Sequence, residues 1–269
     1  ANDELRGFLV RMIWLGRLKE LLPEATEIAL SAENSKYTRI AAFRAVAKLG
    51  DAKVAQDLRT HFLQESEKLD REWLAELISE TEPSQDSFEW FMTSLGKAEA
   101  KAKHSVDRLP RAVDDYVRNA DIELIPQILR GISELLKQEP FIERSFCHVS
   151  QKNAWLLSAG AAGAERLIEV RNAFVFDKVT LELLFNLRIG KEFHRDIRDE
   201  APKFSVLLQC WPELNRAAFW HDIAISRQRF MTRAGDRLTY YGQAGVFGPF
   251  WSFEGDDFDY ICGQIVLQT

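Results

Sequence analysis

Residues 37–62 read YTRIAAFRAVAKLGDAKVAQDLRTHF, and this stretch predicts two short helices joined at a Gly-Asp corner. Ala42, Ala45 and Leu49 recur at the spacing of one helical face, with Ile40 and Val46 at its margins. Small alanines on a helix face allow a partner helix to approach closely. The first half of the stretch therefore predicts a helix that packs tightly against a neighbour.

The second half of the stretch predicts the partner helix. Gly50 is a natural helix C-cap and Asp51 a natural N-cap, and Val54, Leu58 and Phe62 follow at spacing four. A corner this short makes the two helices antiparallel neighbours. We therefore predict a helical hairpin over residues 37–62.

The hairpin pattern recurs along the first half of the chain. Residues 49–62 align with 119–132 at an offset of 70 residues, which places Asp51 over Asp121. Seventy is twice 35, within the period of roughly 33–47 residues of helical-hairpin repeats. Residues 4–30 predict another pair with Pro23 at a first helical position, and residues 70–96 a third, divided by Pro83 and capped by Ser84 or Asp86.

These hairpins predict the fold class. Their apolar faces are too broad for an isolated hairpin, and stacking against neighbours buries them. We expect an all-α protein: a HEAT-like α-solenoid of stacked antiparallel helical hairpins over residues 1–140. Residues 141–269 are expected to form a less regular helical extension, interrupted at Pro202 and Pro212.

A segment rich in glycine and aromatic residues, 235–255, interrupts the extension. It predicts a short irregular or β-hairpin loop, with strands at 237–241 and 250–253. Because aromatic residues dominate interface hot spots, a partner-binding surface is one interpretation of this segment. Packing of the same loop between two hairpins is the other. The candidate contact residues are Tyr240, Tyr241, Phe247, Phe250 and Trp251.

Composition restricts the function classes. The 269 residues carry a formal net charge of −6, which argues against broad binding to nucleic acid or to anionic membranes. The longest uncharged run, 238–253, is shorter than the roughly 20 residues of a membrane span and contains Gly and Pro. Cys147, Cys210 and Cys262 form neither a disulfide framework nor a zinc spacing, which is typical of a reducing cytoplasm.

Two short motifs suggest catalysis without completing it. His194, Arg195 and Asp196 resemble the start of a kinase catalytic loop, but Ala201 stands where that loop has its magnesium-binding Asn. His221 and Asp222 are adjacent, as in metal phosphohydrolases, but no further ligands lie nearby in the sequence. We interpret the first motif as a solvated helix face and the second as a half-buried pair.

Two further segments have alternative interpretations. The basic run of Lys97, Lys101, Lys103 and Arg108 could contact phosphate. It is interrupted by acidic residues and lacks interleaved aromatic residues, which favours a solvated loop between repeats. The glycines of SAGAAGAERL, at positions 160 and 163, match no phosphate-binding motif and instead predict close helix packing.

The quoted stretch resembles the HEAT repeat, in which a first helix with spaced alanines ends in Leu-Gly-Asp. The resemblance is good over 37–62 and fair over 106–137. TRIAAFRAVAKLGDA also resembles helical-repeat segments of very large bacterial proteins that carry a STAND or NACHT-type nucleotide-binding module upstream. Such arms hold or sense another protein, in some members during phage defence. The matching residues are Arg39, Ala42, Ala45, Leu49, Gly50, Asp51, Val54 and Leu58.

We therefore expect a non-catalytic scaffold or sensor arm that binds another protein or another domain of a larger chain. We expect no cofactor and no metal. Asp256 and Asp257 begin a helical pattern that reaches Thr269 without a C-cap signal, so a segment of a longer protein is expected. The alternative is part of an enzyme, or a nucleic-acid-binding HEAT-like module, that uses His221 and Asp222 or the basic run.

Overall fold

The computed structural model describes residues 3–101, 106–144, 147–190, 200–226, 231–234, 237–240, 253 and 255–267. Helices dominate this part of the chain, which confirms the all-α prediction, and two short antiparallel β-hairpins accompany them. The chain divides into two compact units, Ala1–Leu124 and Ile125–Thr269. Each unit is described by itself.

Seven α-helices form the described part of the first unit. In chain order they are α1 (Asp3–Gly16), α2 (Leu22–Leu30), α3 (Lys36–Leu49), α4 (Ala52–Glu65), α5 (Arg71–Ser79), α6 (Gln85–Lys97) and α7 (Leu109–Asn119). Pro23 lies in the first turn of α2, as expected.

The hairpin at 37–62 is confirmed by α3 and α4. Ser35 caps α3 by accepting a hydrogen bond from the Thr38 amide, and Asp51 caps α4 by accepting one from the Lys53 amide at 2.7 Å. The face predicted for α4 is wrong at one position, because Val54 is 38% exposed. Its neighbour Ala55 is buried instead, so the buried face of α4 consists of Ala55, Leu58 and Phe62.

Helices α5 and α6 each begin with a side-chain cap. Asp70 accepts a hydrogen bond from the Trp73 amide at 2.9 Å. Of the two caps predicted for α6, Ser84 is the observed one, and it forms a reciprocal capping box with Ser87. The chain's own turn chemistry therefore sets both boundaries.

Helix contacts within the first unit follow an alternating order. Helix α3 packs on both α1 and α5, and α5 also packs on α7. Helix α4 contacts both α2 and α6. Odd-numbered and even-numbered helices thus form two rows, called here the odd row and the even row. The core between them includes the buried rings of Phe43, Phe62 and Trp73, which meet edge to face.

The second unit contains six described α-helices and both β-hairpins. They are α8 (Ile125–Leu136), β1 (Phe141–Arg144), β2 (Cys147–Ser150), α9 (Leu157–Glu169), α10 (Lys178–Gly190), α11 (Ala201–Gln209), α12 (Pro212–Ser226), β3 (Met231–Ala234), β4 (Arg237–Tyr240) and α13 (Gly255–Leu267).

Helix α9 is buried along most of its length, and it contacts α8, α10 and α11. A Cβ atom at Gly160 would lie 2.7 Å from Cδ1 of Leu183 on α10. A Cβ atom at Gly163 would lie 2.8 Å from Cδ2 of Leu129 on α8. The prediction that these glycines permit close helix packing is confirmed.

Three sequence expectations need correction. Residues 141–144 and 147–150 form the paired strands β1 and β2, with Phe141 opposite Ser150, where helix was expected. Asp121, which aligns with Asp51, lies in a turn closed by the Leu124 amide, and α8 begins only at residue 125, so the alignment does not carry over to the helix start. Strand β4 pairs with β3, with Thr239 opposite Thr232, whereas most of the expected partner strand at 250–253 lies outside the described residues.

Candidate functional site

A groove in the first unit combines charged and aromatic side chains. It lies where the start of α3, the end of α4 and the start of α5 meet, and its volume is about 330 Å³. Clefts that hold a small molecule or a side chain of a partner begin at about this size. The groove is therefore large enough to accept part of a ligand or of a peptide.

The floor of the groove is aromatic. Phe62 of α4 and Trp73 of α5 lie with their ring centroids 4.7 Å apart, inclined at 69°. Leu69 closes the floor on the side of the α4–α5 connection. All three side chains are buried, so the floor is fixed by the core packing of the unit.

Arg39 forms one wall of the groove, and each of its contacts holds it in place. Its Nε donates to the carbonyl of Ala29 at 2.9 Å, and its Nη2 lies 2.6 Å from Oε2 of Glu65. The guanidinium carbon lies 5.3 Å from the ring centroid of Phe62, within the range of a cation–π contact. The positive charge of this wall is therefore positioned before any ligand binds.

Lys36 forms the opposite wall. Its ammonium group lies 2.8 Å from Glu72 and 3.3 Å from Asp70. The hydrogen bond to Glu72 is the main cause that raises the pKa of Lys36, with Asp70 adding to it. The ammonium stays charged across the physiological range, and the groove rim presents alternating positive and negative groups.

The connection between α4 and α5, residues 66–70, is tied to the end of α6. The Leu69 amide donates to the carbonyl of Lys97 at 2.9 Å, and the Glu99 amide donates to the carbonyl of Leu69 at 3.0 Å. Lys97 itself turns inward, because its Nζ donates to the carbonyls of Leu63 and Ser66 at 2.7 and 3.1 Å. These contacts fix the edge of the groove.

The basic run proposed from the sequence is divided by these contacts. Lys97 satisfies carbonyls at the end of α4, and Nη1 of Arg108 lies 3.6 Å from Oε1 of Glu76. Lys101 is exposed, and Lys103 lies outside the described residues. Lys97 and Arg108 are thus engaged with the protein itself, and we see no continuous cationic surface in the described part of the run.

His221 and Asp222 point to different surroundings in the second unit. Asp222 is buried and accepts Nη2 of Arg188 at 2.9 Å, while Nε of Arg188 lies 2.6 Å from its other oxygen. Nε2 of His221 is buried without a hydrogen-bond partner, and burial is the main cause that lowers the pKa of this imidazole. The carboxylate therefore acts as an ion-pair partner of Arg188, which leaves its oxygens poorly placed to bind a metal.

Other sequence candidates are placed only in part. Tyr240 ends β4, whereas Tyr241, Phe247, Phe250 and Trp251 lie outside the described residues. The kinase-like motif at 194–196 also lies outside them. Among the side chains that the structure describes, no three His, Cys, Asp or Glu residues converge in a way that could hold a metal ion.

The groove was not identified from the sequence. Its walls come from residues 26 to 36 positions apart, such as Arg39 with Glu65 and Lys36 with Glu72. One signal was available, since basic residues at the start of one predicted hairpin precede acidic residues at the start of the next by about one repeat.

No helix in the described part of the chain combines the length and apolar composition that crossing a bilayer requires. No family model, no curated protein and no solved structure matches the chain.

Proposed function

We propose that this chain is a non-catalytic helical-repeat arm of the HEAT type, an α-solenoid that binds another protein or another domain of a longer polypeptide. The observation that carries the proposal is the order of contacts in the first unit, where the odd row and the even row each pack helix on helix. Stacked hairpins with neighbour-only contacts are the arrangement of α-solenoids, whose surfaces serve as extended binding platforms.

The period of the first unit supports a repeat. Helices α1, α3, α5 and α7 begin at residues 3, 36, 71 and 109, which are separated by 33, 35 and 38 residues. These spacings lie at or near the 33–47-residue periods of helical-hairpin repeats. These spacings support the proposal that the neighbouring helix pairs are units of the same kind.

The contacts made by the candidate catalytic and phosphate-binding side chains also favour a binding role over catalysis. Asp222 is held by Arg188, and Lys97 is held by backbone carbonyls. A catalytic base or nucleophile needs hydrogen-bonding partners that orient it and a position within reach of the substrate. Asp222 and Lys97 are instead used to join helices.

We propose the groove as one contact surface of the arm. Its aromatic floor offers a place for an apolar side chain, and its rim of alternating charges, with Arg39 and Lys36 fixed by ion pairs, offers orientation. Rigid charged groups cost little entropy when they engage a partner, because they are already positioned. A short segment of a partner protein fits this chemistry.

Photo-cross-linking from the groove rim tests the proposal. Lys68 is exposed and lines the groove, whereas Lys53 is equally an exposed lysine but lies at the opposite end of α4. A photoreactive residue at position 68 is expected to yield one adduct of defined mass in source cells, and the same residue at position 53 is not.

Reversal of the groove charge at Arg39 and Lys36 is expected to remove that adduct while helicity is retained. An identical adduct pattern from positions 53 and 68, or no adduct from position 68, would contradict the groove as a binding surface. The mass of the native polypeptide, measured with an antibody to this chain, separates a partner protein from a domain of the same polypeptide.

The aromatic segment remains the second contact surface that the sequence favours. Replacement of Tyr241 and Trp251 by Ala is expected to weaken binding of the cross-linked partner with helicity unchanged.

We further propose that the arm works in the cytoplasm, and that its parentage lies among large bacterial STAND or NACHT-type proteins, some of which act in phage defence. Detection of a nucleotide-binding module in the native polypeptide would test this parentage.

A further inference from the structure

Helix α1 carries apolar residues on two opposite faces. One face, with Val10 and Ile13, is buried in the core of the first unit. The other bears five large apolar side chains at spacings of three and four, which we call the outer face of α1. Its members are Leu5, Phe8, Leu9, Met12 and Leu15, and they are 54, 57, 52, 46 and 69% exposed.

The outer face of α1 continues an interface that the odd row has already formed. Helix α3 packs on α1 on one side and on α5 on the other, and it buries residues from Ile40 to Val46 almost all round. Terminal repeats of an array have a polar outer face, because nothing covers it. Helix α1 instead has the apolar composition of a helix inside the row.

First-turn contacts reveal the orientation of helices in the odd row. The Asp3 carboxylate accepts hydrogen bonds from the Ser35 amide at 3.1 Å and from the Thr38 hydroxyl at 3.2 Å. The starts of α1 and α3 therefore lie side by side, and these two helices are parallel.

Ion pairs join the helix starts at the next two junctions. Lys36, the first residue of α3, binds Asp70 and Glu72 at the start of α5. Arg71, the first residue of α5, binds Asp107 immediately before α7. The first residue of each odd helix thus contacts the start of the following one.

This rule predicts the charge of a helix that would precede α1 in the row. Glu4 is the second residue of α1, as Glu72 is the second residue of α5. Because Glu72 accepts the ammonium of Lys36 from the preceding odd helix, a basic residue in the first turn of a preceding helix would lie near Glu4. Charge and apolar pattern therefore describe the same occupant.

We infer that the outer face of α1 binds the first helix of another repeat of this type. That helix lies parallel to α1, carries apolar residues at spacings of three and four, and has Lys or Arg in its first turn. The inference rests on the proposed function, since it names the surface by which the arm joins a neighbouring repeat of a longer array.

A copy of the chain's own second hairpin supplies the probe. Residues 35–70, placed directly before Asp3, reproduce the natural order of α3, α4 and their connection, with α1 in the position of α5. Hydroxyl-radical oxidation of Phe8 and Met12 then reports whether the outer face is covered, and thermal unfolding reports whether the cover stabilises the chain.

The fused hairpin is expected to slow oxidation of Phe8 and Met12 several-fold and to raise the unfolding midpoint. Phe8→Glu with Met12→Glu should cancel the gain in the fusion, yet change the midpoint of the unfused chain little, because both side chains are already exposed. Val106→Glu, at a side chain that is 91% exposed and lies outside α1, is the matched control and should leave the gain intact.

Unchanged oxidation of Phe8 and Met12 in the fusion would overturn the inference. So would a dimer of the unfused chain, detected by sedimentation, that Phe8→Glu dissociates, because the occupant would then be a second copy. Cross-linking from position 68 does not depend on α1, so a persistent adduct with an uncovered outer face would reject this inference alone.

Discussion

Arg71 and Asp107 form a buried ion pair across 36 residues of sequence, with Nη2 and Nε of the arginine 2.7 and 3.0 Å from the same carboxylate oxygen. Lys36 and Glu72 are also 36 residues apart and meet at 2.8 Å. Both pairs join the start of one odd helix to the start of the next. These two ion pairs thus follow the helix period, which packing alone does not require.

Removal of the Asp107 charge tests how far this pair stabilises the first unit. Both side chains are at least nine-tenths buried, so Asp107→Asn leaves a buried guanidinium without its carboxylate and is expected to cost about 3 kcal/mol of unfolding free energy. Arg111→Gln, in the exposed pair with Asp115, is the control and should cost less than about 0.5 kcal/mol. Chemical denaturation measures both, and equal small losses would contradict the assignment.

Two arginines with a left-handed backbone conformation allow a second comparison of unfolding free energies. Arg17 and Arg171 have φ of 54° and 51°, where a side chain is strained and Gly is not. Arg17→Gly is expected to raise the unfolding free energy by up to about 1 kcal/mol. Arg171→Gly should gain less, because Arg171 also donates to the Cys210 carbonyl and lies over the Trp211 ring. A larger gain at 171 than at 17 would refute this explanation.

Glycines in two helices of the second unit should respond to alanine in opposite directions. Gly160→Ala forces its Cβ against the buried Leu183 and is expected to destabilise the chain by about 1–3 kcal/mol. Gly263 has open space around its Cβ position, so Gly263→Ala should stabilise α13 by up to about 1 kcal/mol through helix propensity. Thermal unfolding of the two variants gives the signs, and a gain at position 160 would disprove the close packing of α9 on α10.

Much of the first unit follows from local sequence signals. Ser84 and Pro23 mark helix starts by their own chemistry, and the Gly50–Asp51 corner ends one helix and begins the next. These signals act within a few residues, which is why the helix boundaries were predictable.

Packing decided the features that the sequence did not predict. Val54 and Ala55 both fit an apolar stripe, and only the position of neighbouring helices exposes the first and buries the second. The two residues between strands β1 and β2 in the sequence, Ser145 and Phe146, lack the Asn-Gly or Asp-Gly signal of a tight hairpin.

Contacts between residues far apart in the sequence could not be predicted from local patterns. Arg188 reaches Asp222 across 34 residues, so an adjacent His-Asp pair that suggested a metal site is explained by an ion pair. The candidate groove has the same origin, since its walls meet only after α3, α4 and α5 have packed together.

The imidazole of His221 predicts a pH dependence. Burial lowers its pKa in the folded chain, against opposing effects of Glu182 and Asp222 and with support from Lys178. In the unfolded chain the imidazole has an ordinary pKa near 6.5, so around pH 6 the unfolded chain binds more protons than the folded chain. The stability contributed by neutral His221 is therefore fully present above pH 6.5 and is lost as the pH falls below that value.

Unfolding free energies measured from pH 7.5 down to about pH 5.5 should decline less in His221→Gln than in the unchanged chain. His61→Gln, at an exposed histidine of α4, is the control and should keep the full decline. A decline of equal size in the His221 variant would show that other groups produce it.

Substitutions in the basic run test whether its lysines stabilise the fold or bind nucleic acid. Because its ammonium satisfies two carbonyls at the end of α4, Lys97→Met is expected to lower the unfolding free energy by about 1–3 kcal/mol. Lys101→Glu, at an exposed lysine of the same run, should leave stability within about 0.5 kcal/mol. Fluorescence anisotropy with labelled duplex DNA is expected to detect no saturable binding at low salt. Salt-sensitive binding that Lys101→Glu abolishes would instead favour the nucleic-acid alternative, since cations that contact phosphate release counterions.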